Sequence, residues 1–189
     1  MSSCANLKDI IIELAQDAEM VEQEGVEAVE QLIVSSHRVF VAGAGRSGFA
    51  ASAFSNRLMH LGLDSHFVGE PTCPSIREGD VLVVGSGSGM TEGMVIKAKK
   101  AKSEGAKVAT ITINPDGEIA KIADAVILIP GKSTLRMKGG SAVKAPSIQP
   151  DGSSFEQLSW LTYDSMVIDL MRLTKSTQED MNHRHSNLE

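Results

Sequence analysis

The fold is decided by the stretch VFVAGAGRSG at residues 39–48, together with its counterpart VLVVGSGSGMT at residues 81–91. In each stretch a run of β-branched and apolar residues stops at a glycine, turns through small residues and enters a helical pattern. This arrangement aims bare backbone N–H groups and hydroxyls at an anion. One such loop is common in proteins, whereas two in a short domain indicate a small phosphorylated ligand held between them.

The composition is ordinary for a soluble globular protein, and it narrows the classes of partner. The 189 residues carry a net charge of −6 and only 4% aromatic residues, a length that suits one domain with a substantial core. Because basic runs and aromatic side chains are scarce, nucleic acid is a poor partner. No apolar stretch approaches the roughly 20 residues of a membrane span. The beginning of the chain does not resemble a secretion signal, and the two cysteines fit a reducing compartment, so we expect a cytoplasmic protein.

Hydrophobic periodicity predicts a single domain with three α/β/α layers. Strands that alternate with helices imply right-handed crossovers and a five-stranded parallel sheet of the flavodoxin or Rossmann type. Gly25 is the expected break between two N-terminal helices, and the helix after the first loop is expected from Ala50 to Leu61. The expected divisions are N-terminal helices at 1–36, a sheet core at 37–130, a long functional or mobile loop at 131–150, a C-terminal helix at 151–174 and a polar tail at 175–189.

The first loop by itself has a second interpretation. Gly43, Gly45 and Gly48 spell G-x-G-x-x-G between a strand and a helix, which is the pattern of a dinucleotide site. Glu70 stands near the place where a ribose-binding acid is sought. The second loop argues against this interpretation, because its hydroxyls have no role in a dinucleotide site. A nucleoside triphosphate pocket is also disfavoured, since no lysine follows in the G-x-x-x-x-G-K-[ST] frame.

A phosphate monoester fits the two loops better. Hydroxyls donate to phosphate oxygens, and glycines let backbone N–H groups approach closely. Arg46 is an electrostatic partner for phosphate or, equally, one half of an inter-subunit ion pair. The simpler alternative for the second loop is that Ser88 or Thr91 only caps the following helix. The residues predicted to bind phosphate are Gly45, Arg46, Ser47, Ser86, Gly87, Ser88 and Thr91.

The pair of loops and the order of strands around them resemble the SIS (sugar isomerase) domain, which binds phosphosugars. A set of short segments, from about Val39 to the end of the chain, resembles one group of that family, the 6-phospho-3-hexuloisomerases. Met90 departs from the pattern, which has a polar residue, often Glu, before the threonine. The segments that carry the resemblance are GAGRSG at 43–48, RLMH at 57–60, VGE at 68–70, GSGSG at 85–89, TINP at 112–115, IQP at 148–150, FEQ at 155–157 and NLE at 187–189.

The resemblance implies an isomerase that interconverts the arabino isomer of 3-hexulose 6-phosphate and fructose 6-phosphate. This is the second step of formaldehyde fixation through ribulose monophosphate, after a 3-hexulose-6-phosphate synthase. The resemblance further implies an enzyme without metal or cofactor that forms a homotetramer, with active sites completed by neighbouring subunits. The sequence itself contains no Cys/His cluster with metal-ligand spacing.

Such a reaction requires a proton to leave C2 and return at C3 through a cis-enediol(ate), which a single carboxylate can transfer. Glu156 is the predicted catalytic carboxylate. It shares a helix face with Trp160 and Tyr163, which would partly desolvate it. The alternative is structural, because Ser153-Ser154-Phe155-Glu156 has the pattern of a capping box.

Two histidines, an asparagine and a second glutamate complete the predicted site. His60 is a catalytic candidate that faces either the site or a subunit contact. The end of the chain, HSNLE at 185–189, reads as a disordered tail from its composition. The resemblance instead implies that it folds over a neighbour's site, where His185 assists ring opening or enediol stabilisation and Asn187 contacts the sugar. Glu70, at the carboxyl end of a strand, either binds sugar hydroxyls or caps a loop.

Two other functions are compatible with the loops. One is a different aldose–ketose isomerase of phosphosugars, and the other is a non-catalytic phosphosugar sensor. Regulators with this domain carry a helix-turn-helix segment ahead of it, whereas the segment before Val39 is short, acidic and poor in basic recognition residues. A sensor would bind phosphosugars without exchanging their protons with solvent.

Overall fold

The computed structural model describes residues 4–131 and 147–188, which fold into alternating helices and strands. Most of the loop expected at 131–150 lies outside the described residues. The elements are α1 (Ala5–Ala18), α2 (Gln23–Ser35), β1 (Val39–Gly43), α3 (Gly45–His60), β2 (Ser65–Phe67), β3 (Val81–Gly85), α4 (Glu92–Ser103), β4 (Lys107–Thr112), α5 (Glu118–Ile122), β5 (Ala125–Leu128), α6 (Ser153–Thr174) and α7 (Gln178–Arg184).

The five strands form one parallel sheet in the order β2-β1-β3-β4-β5. β1 and β3 are neighbours in this sheet although β2 separates them in the chain. Gly43 and Gly85, the last residues of β1 and β3, are register partners. The predicted α/β fold with a five-stranded parallel sheet is therefore confirmed. The two glycine-rich loops leave adjacent strands at the same edge of the sheet.

The core lies on both faces of the sheet because successive side chains of each strand point to opposite sides. Val41 and Val83 belong to the larger apolar cluster, which α2, α3 and α6 cover. Phe40 and Leu82 belong to the smaller cluster, on the face covered by α4 and α5. All four side chains are at most 2% exposed. A strand buried on both faces has no polar alternation, which explains the continuous apolar runs in the sequence.

Gly25 does not break the N-terminal helices. The break lies just before Gln23, and Gly25 sits within the first turn of α2. A Cβ atom at Gly25 would lie 2.7 Å from the carbonyl oxygen of Val126 in β5. The glycine is required because the backbones of α2 and β5 approach closely, not because the chain turns there.

The tail expected at 175–189 contains a seventh helix, α7. Its capping box is formed by Thr177 and Asp180, each of whose side chains accepts a hydrogen bond from the other's backbone N–H. Met181 is 6% exposed and belongs to the larger core cluster. The Arg184 guanidinium donates to the His60 carbonyl oxygen at 3.1 Å. The sequence did not indicate α7 because its composition is polar. The helix packs on the carboxyl end of α3 of its own chain.

None of the helices in the described ranges is long and apolar enough to cross a membrane.

A buried carboxyl group, Glu30 on α2, predicts a pH-dependent stability. Its side chain is 2% exposed, and Oε1 has no hydrogen-bond partner within the described residues. Burial, together with the neighbouring carboxylates of Asp169 and Glu27, raises the pKa of Glu30 from 4.5 to about 7. The folded protein therefore holds a proton that the unfolded chain releases. We expect the free energy of unfolding to fall by about 3 kcal/mol as the pH rises from 4.5 to 7.

Urea unfolding at several pH values measures this effect. The Glu30→Gln variant, which stays neutral, is expected to lose most of this slope. The Glu24→Gln variant, at an exposed position of the same helix, serves as the control and keeps it. An identical pH dependence in wild type and Glu30→Gln would show that Glu30 does not titrate in this range.

Candidate active site

The two glycine-rich loops meet where the strand order reverses. β2 and β3 flank β1 on opposite sides, so the crevice at the carboxyl ends of β1 and β3 is the switch point of the sheet. Ligands of open parallel sheets bind in such crevices, because helices diverge from this edge and leave backbone groups exposed. The structure thus brings together the two loops that the sequence analysis linked to phosphate.

The first loop forms the first turn of α3. The helix predicted from Ala50 begins at Gly45, whose φ of +57° places it in the left-handed region. The first-turn N–H groups of Gly45, Arg46 and Ser47 have no partner within the helix, and the helix dipole adds positive potential there. The N–H of Gly48 bonds the Ala44 carbonyl oxygen and starts the helical ladder. This end of α3 is therefore suited to an anion.

The second loop places three hydroxyls at the beginning of α4. Ser86 and Ser88 are 3% and 5% exposed. The Oγ atoms of Ser86 and Thr91 lie 3.5 Å apart, at the outer limit of a hydrogen bond, and Ser88 Oγ accepts from the Met90 N–H. Thr91 occupies the N-cap position of α4 but makes no side-chain capping bond. The capping alternative is therefore wrong for Thr91, and its hydroxyl is available to a ligand.

The segment after β4 holds the second loop in place from one side. Asn114 is 5% exposed and donates through Nδ2 to the Ser88 carbonyl oxygen at 3.0 Å. The Gly87 carbonyl oxygen accepts from the Thr112 hydroxyl at 3.1 Å and from the Ile113 N–H at 3.0 Å. These bonds fix the carbonyl groups of the loop and so hold the loop in place. The sequence analysis quoted TINP only as part of the resemblance and missed this supporting role.

Helix α6 packs closely against the second loop. A Cβ atom at Gly87 would lie 3.3 Å from the Phe155 ring, and one at Gly85 would lie 3.0 Å from the Tyr163 hydroxyl. Tyr163 also stacks on Phe54 of α3, with ring centroids 4.4 Å apart. Burial raises the pKa of Tyr163, which therefore stays protonated. The Tyr163 ring thus fills the space next to Gly85, at the end of β3.

Glu156 forms an ion pair with Arg46 and does not cap its own helix. The N-cap of α6 is Gly152, so Ser153 already lies inside the helix and the expected capping box is absent. Arg46 donates its Nε–H to the Glu156 carboxylate. The Arg46 side chain is 63% exposed, whereas that of Glu156 is 19% exposed. A partly buried carboxylate therefore lies beside the first turn of α3, next to the predicted phosphate loop.

A cavity of about 510 Å³ adjoins this ion pair. Arg46 and Glu156 lie at its wall, and apolar side chains form most of the rest. Three of them are strongly exposed: Phe49 at 72%, Trp160 at 44% and Leu161 at 51%. The cavity thus joins a charged corner to an apolar surface shared by α1, α3 and α6.

The two histidine candidates lie together, but far from Glu156 in the same chain. The rings of His60 and His185 stack with centroids 5.0 Å apart, at the carboxyl end of α3. α3 has 16 residues, so at about 1.5 Å per residue this end is about 22 Å from Gly45. Burial lowers the pKa of His60, and His185 and Arg57 lower it further, so His60 is neutral at pH 7. One chain alone does not bring these histidines to Glu156.

Comparison with known proteins places the chain in a family. Residues 32–142 match the family described as SIS domain. The chain belongs to the SIS domain family.

The chain is similar over its full length to curated proteins. It is 41% identical to the 3-hexulose-6-phosphate isomerase of Bacillus subtilis over 189 residues, which cover 100% of both chains. It is 42% identical to the 3-hexulose-6-phosphate isomerase of Mycobacterium gastri over 97% of this chain and 90% of the relative. A solved structure from Methanococcus jannaschii, reported to infer that same function, matches with a TM-score of 0.80 at 29% identity. It covers 98% of this chain and 100% of the other.

The two predicted sugar-binding residues, Glu70 and Asn187, lie in different places. Glu70 lies exposed in the turn after β2, at the same sheet edge as the phosphate loops. Asn187 is exposed and follows α7, near the histidine pair at the other end of α3. Within the described ranges, no three His, Cys, Asp or Glu side chains are grouped to hold a metal ion.

Proposed function

We propose that this SIS domain protein is an isomerase that interconverts D-arabino-3-hexulose 6-phosphate and fructose 6-phosphate. The observation that carries the proposal is the position of Glu156, a half-shielded carboxylate bonded to Arg46 at the edge of the first phosphate loop. Full-length relatives named 3-hexulose-6-phosphate isomerase support the choice of substrate. This reaction requires a site for the substrate phosphate, which the loops would provide, and a group that transfers a proton, which would be the Glu156 carboxylate.

The phosphate of the substrate binds between the loops. N–H groups of Gly45 and Ser47 at the start of α3, with the hydroxyls of Ser86, Ser88 and Thr91, supply the hydrogen bonds. The N–H of Gly87 and the Arg46 guanidinium contribute further donors. Glu70, at the same sheet edge, binds the sugar hydroxyls.

Glu156 moves the proton between the two carbon atoms. From the 3-hexulose it takes the proton on C2, and the electron pair shifts to form the C2–C3 double bond of the enediolate. As that bond forms, the π electron pair of the C3 carbonyl moves onto O3, and a proton then passes from O2 to O3. Return of the carbon-bound proton from Glu156 to C3 re-forms the carbonyl group at C2. Neighbouring donors stabilise the charge that develops on oxygen.

A second subunit completes the site in this proposal. His60 and His185 lie about 22 Å from the first loop of their own chain, so they would serve a neighbour's site. His185 there assists ring opening or enediolate stabilisation, and Asn187 contacts the sugar. The protein would be a homotetramer of the cytoplasm that works after a 3-hexulose-6-phosphate synthase in the ribulose monophosphate pathway.

A coupled assay tests the reaction. Ribulose 5-phosphate, formaldehyde and a 3-hexulose-6-phosphate synthase generate the substrate, while glucose-6-phosphate isomerase and its dehydrogenase report fructose 6-phosphate as NADPH. We expect NADPH formation that depends on this protein. Absence of any signal from folded protein that binds fructose 6-phosphate would contradict the proposal. Deuterium exchange into other phosphosugars would then separate a different isomerase from a sensor.

The exposed apolar surface beside the cavity is expected to lie in a contact between subunits, so a charged side chain introduced there should weaken the oligomer. Leu161 and Ile168 are 51% and 56% exposed and lie two turns apart on α6. We expect Leu161→Glu to convert the oligomer to smaller species, because the new carboxylate would be buried without a partner. Sedimentation velocity measures the change. Ile96→Glu, at a 59% exposed position on α4, is the control that keeps the native assembly; an unchanged Leu161→Glu oligomer would exclude this surface from the contact.

A further inference from the structure

Arg46 lies between the Glu156 carboxylate and the proposed phosphate site. Its Nε–H bonds the Glu156 carboxylate, and its own backbone lies in the first turn of α3, where the substrate phosphate would bind. No other hydrogen bond to the Glu156 side chain occurs among the described residues. Among the described residues, the direction of the Arg46 guanidinium therefore decides whether the Glu156 carboxylate is hydrogen-bonded to a cation.

The ion pair is easily exchanged. The Arg46 side chain is 63% exposed, and exposed ion pairs contribute little because water competes and two side chains must be ordered. A phosphate dianion carries twice the charge of a carboxylate, and it would bind at a helix N-terminus whose N–H groups already favour it. An arginine within reach of both groups favours the dianion.

We propose that the phosphate of the substrate draws Arg46 away from Glu156 and so frees this carboxylate to accept the substrate proton. The inference rests on the proposed function and adds the requirement that a substrate be phosphorylated. Without phosphate, Arg46 neutralises the base. With phosphate, part of the binding energy removes that restraint and lowers the barrier to proton transfer, not merely the KM.

The inference is tested by supplying the substrate as two separate molecules, an unphosphorylated sugar and a free anion that stands in for its phosphate group. Unphosphorylated fructose is incubated with the protein in D2O, with or without inorganic phosphite dianion, and deuterium at C3 is followed by NMR. We expect phosphite to accelerate exchange by about tenfold or more in the wild type, as expected for one charge-assisted hydrogen bond. Glu156→Gln should show no exchange under either condition.

The Arg46→Gln variant separates release of the base from simple phosphate binding. If Arg46 restrains Glu156, this variant exchanges the C3 proton of fructose faster than the wild type without phosphite, and phosphite adds little. Exchange at or below the wild-type rate without phosphite would overturn the inference. Because position 46 is exposed, we expect the variant to fold normally.

A binding measurement distinguishes failure of this inference from failure of the proposed function. Exchange at C3 of fructose 6-phosphate by the wild type reports the function alone. Independently, the Arg46 Nε–H resonance, assigned with Arg46→Lys, is followed while inorganic phosphate is added. We expect it to move in the wild type to the position seen in phosphate-bound Glu156→Gln. A resonance that stays in place while the Ser86 and Ser88 amide signals saturate would show that Arg46 remains on Glu156.

Discussion

Replacing Glu156 by Gln is expected to lower kcat by about 10²- to 10⁴-fold, the usual contribution of a positioned acid–base group. The amide has nearly the same shape, and its oxygen still accepts the Arg46 Nε–H, so the local structure is kept. It cannot take a proton from carbon. Fructose 6-phosphate affinity should change only a few-fold, because the phosphate is held by the loops. The coupled assay gives kcat, and calorimetric titration gives the dissociation constant.

Glu118→Gln is the matched control for this experiment. Glu118 also pairs with a cation, Lys99, at 2.6 Å, but it lies on α5. Loss of this surface pair should leave kcat unchanged. Full turnover by Glu156→Gln would remove Glu156 from the mechanism, and with it the observation that carries the proposed function.

Replacing Gly43 by Ala is the second large effect we expect, and it acts through the first loop. The added Cβ atom would lie 2.8 Å from the Ser47 carbonyl oxygen and 2.9 Å from the Gly48 Cα atom. Both are backbone atoms, which cannot rotate away, so the start of α3 must shift. We expect a loss of about 3 kcal/mol in stability, at the upper end of typical overpacking costs. We also expect phosphate affinity to fall by about tenfold or more, through the displaced N–H groups.

Gly93→Ala provides the comparison. Gly93 lies in the first turn of α4, where, among the described residues beyond the adjoining helix backbone, an added Cβ would meet only Lys97 Nζ, at 4.0 Å. Alanine favours the helix, so this variant should gain about 0.5 kcal/mol. Urea unfolding and titration with inorganic phosphate measure both variants. Wild-type stability and phosphate affinity in Gly43→Ala would show that the loop tolerates a side chain and is not fixed by backbone contact.

The sequence predicted the elements whose pattern is local. Strands β1 and β3 were evident because residues buried on both sheet faces form continuous apolar runs. The helix of the tail was missed because α7 is short and polar, with Met181 as its single buried residue. Gly25 was misinterpreted because a glycine that allows a close helix–strand approach looks, in one dimension, like one that ends a helix.

The residues of the two loops could be named in advance because glycines and hydroxyls between a strand and a helix are chemically specific. The interactions of Glu156 could not. Its segment matches a capping box as well as a catalytic site, and only the start of α6 at Ser153 excludes the box. The same holds for His60 and His185, whose stacking depends on how α7 packs.

The sequence by itself determined the alternation of strands and helices, the parallel sheet and the two loops with a capacity for phosphate. These follow from hydrophobic periodicity and from the conformational freedom of glycine, both of which act over a few residues. Only the tertiary structure decided that Arg46 bonds Glu156 across 110 positions of the chain and that the histidine pair lies at the far end of α3. Contacts between residues so distant in sequence are set by the packing of α6 and α7 on α3, which local patterns do not encode.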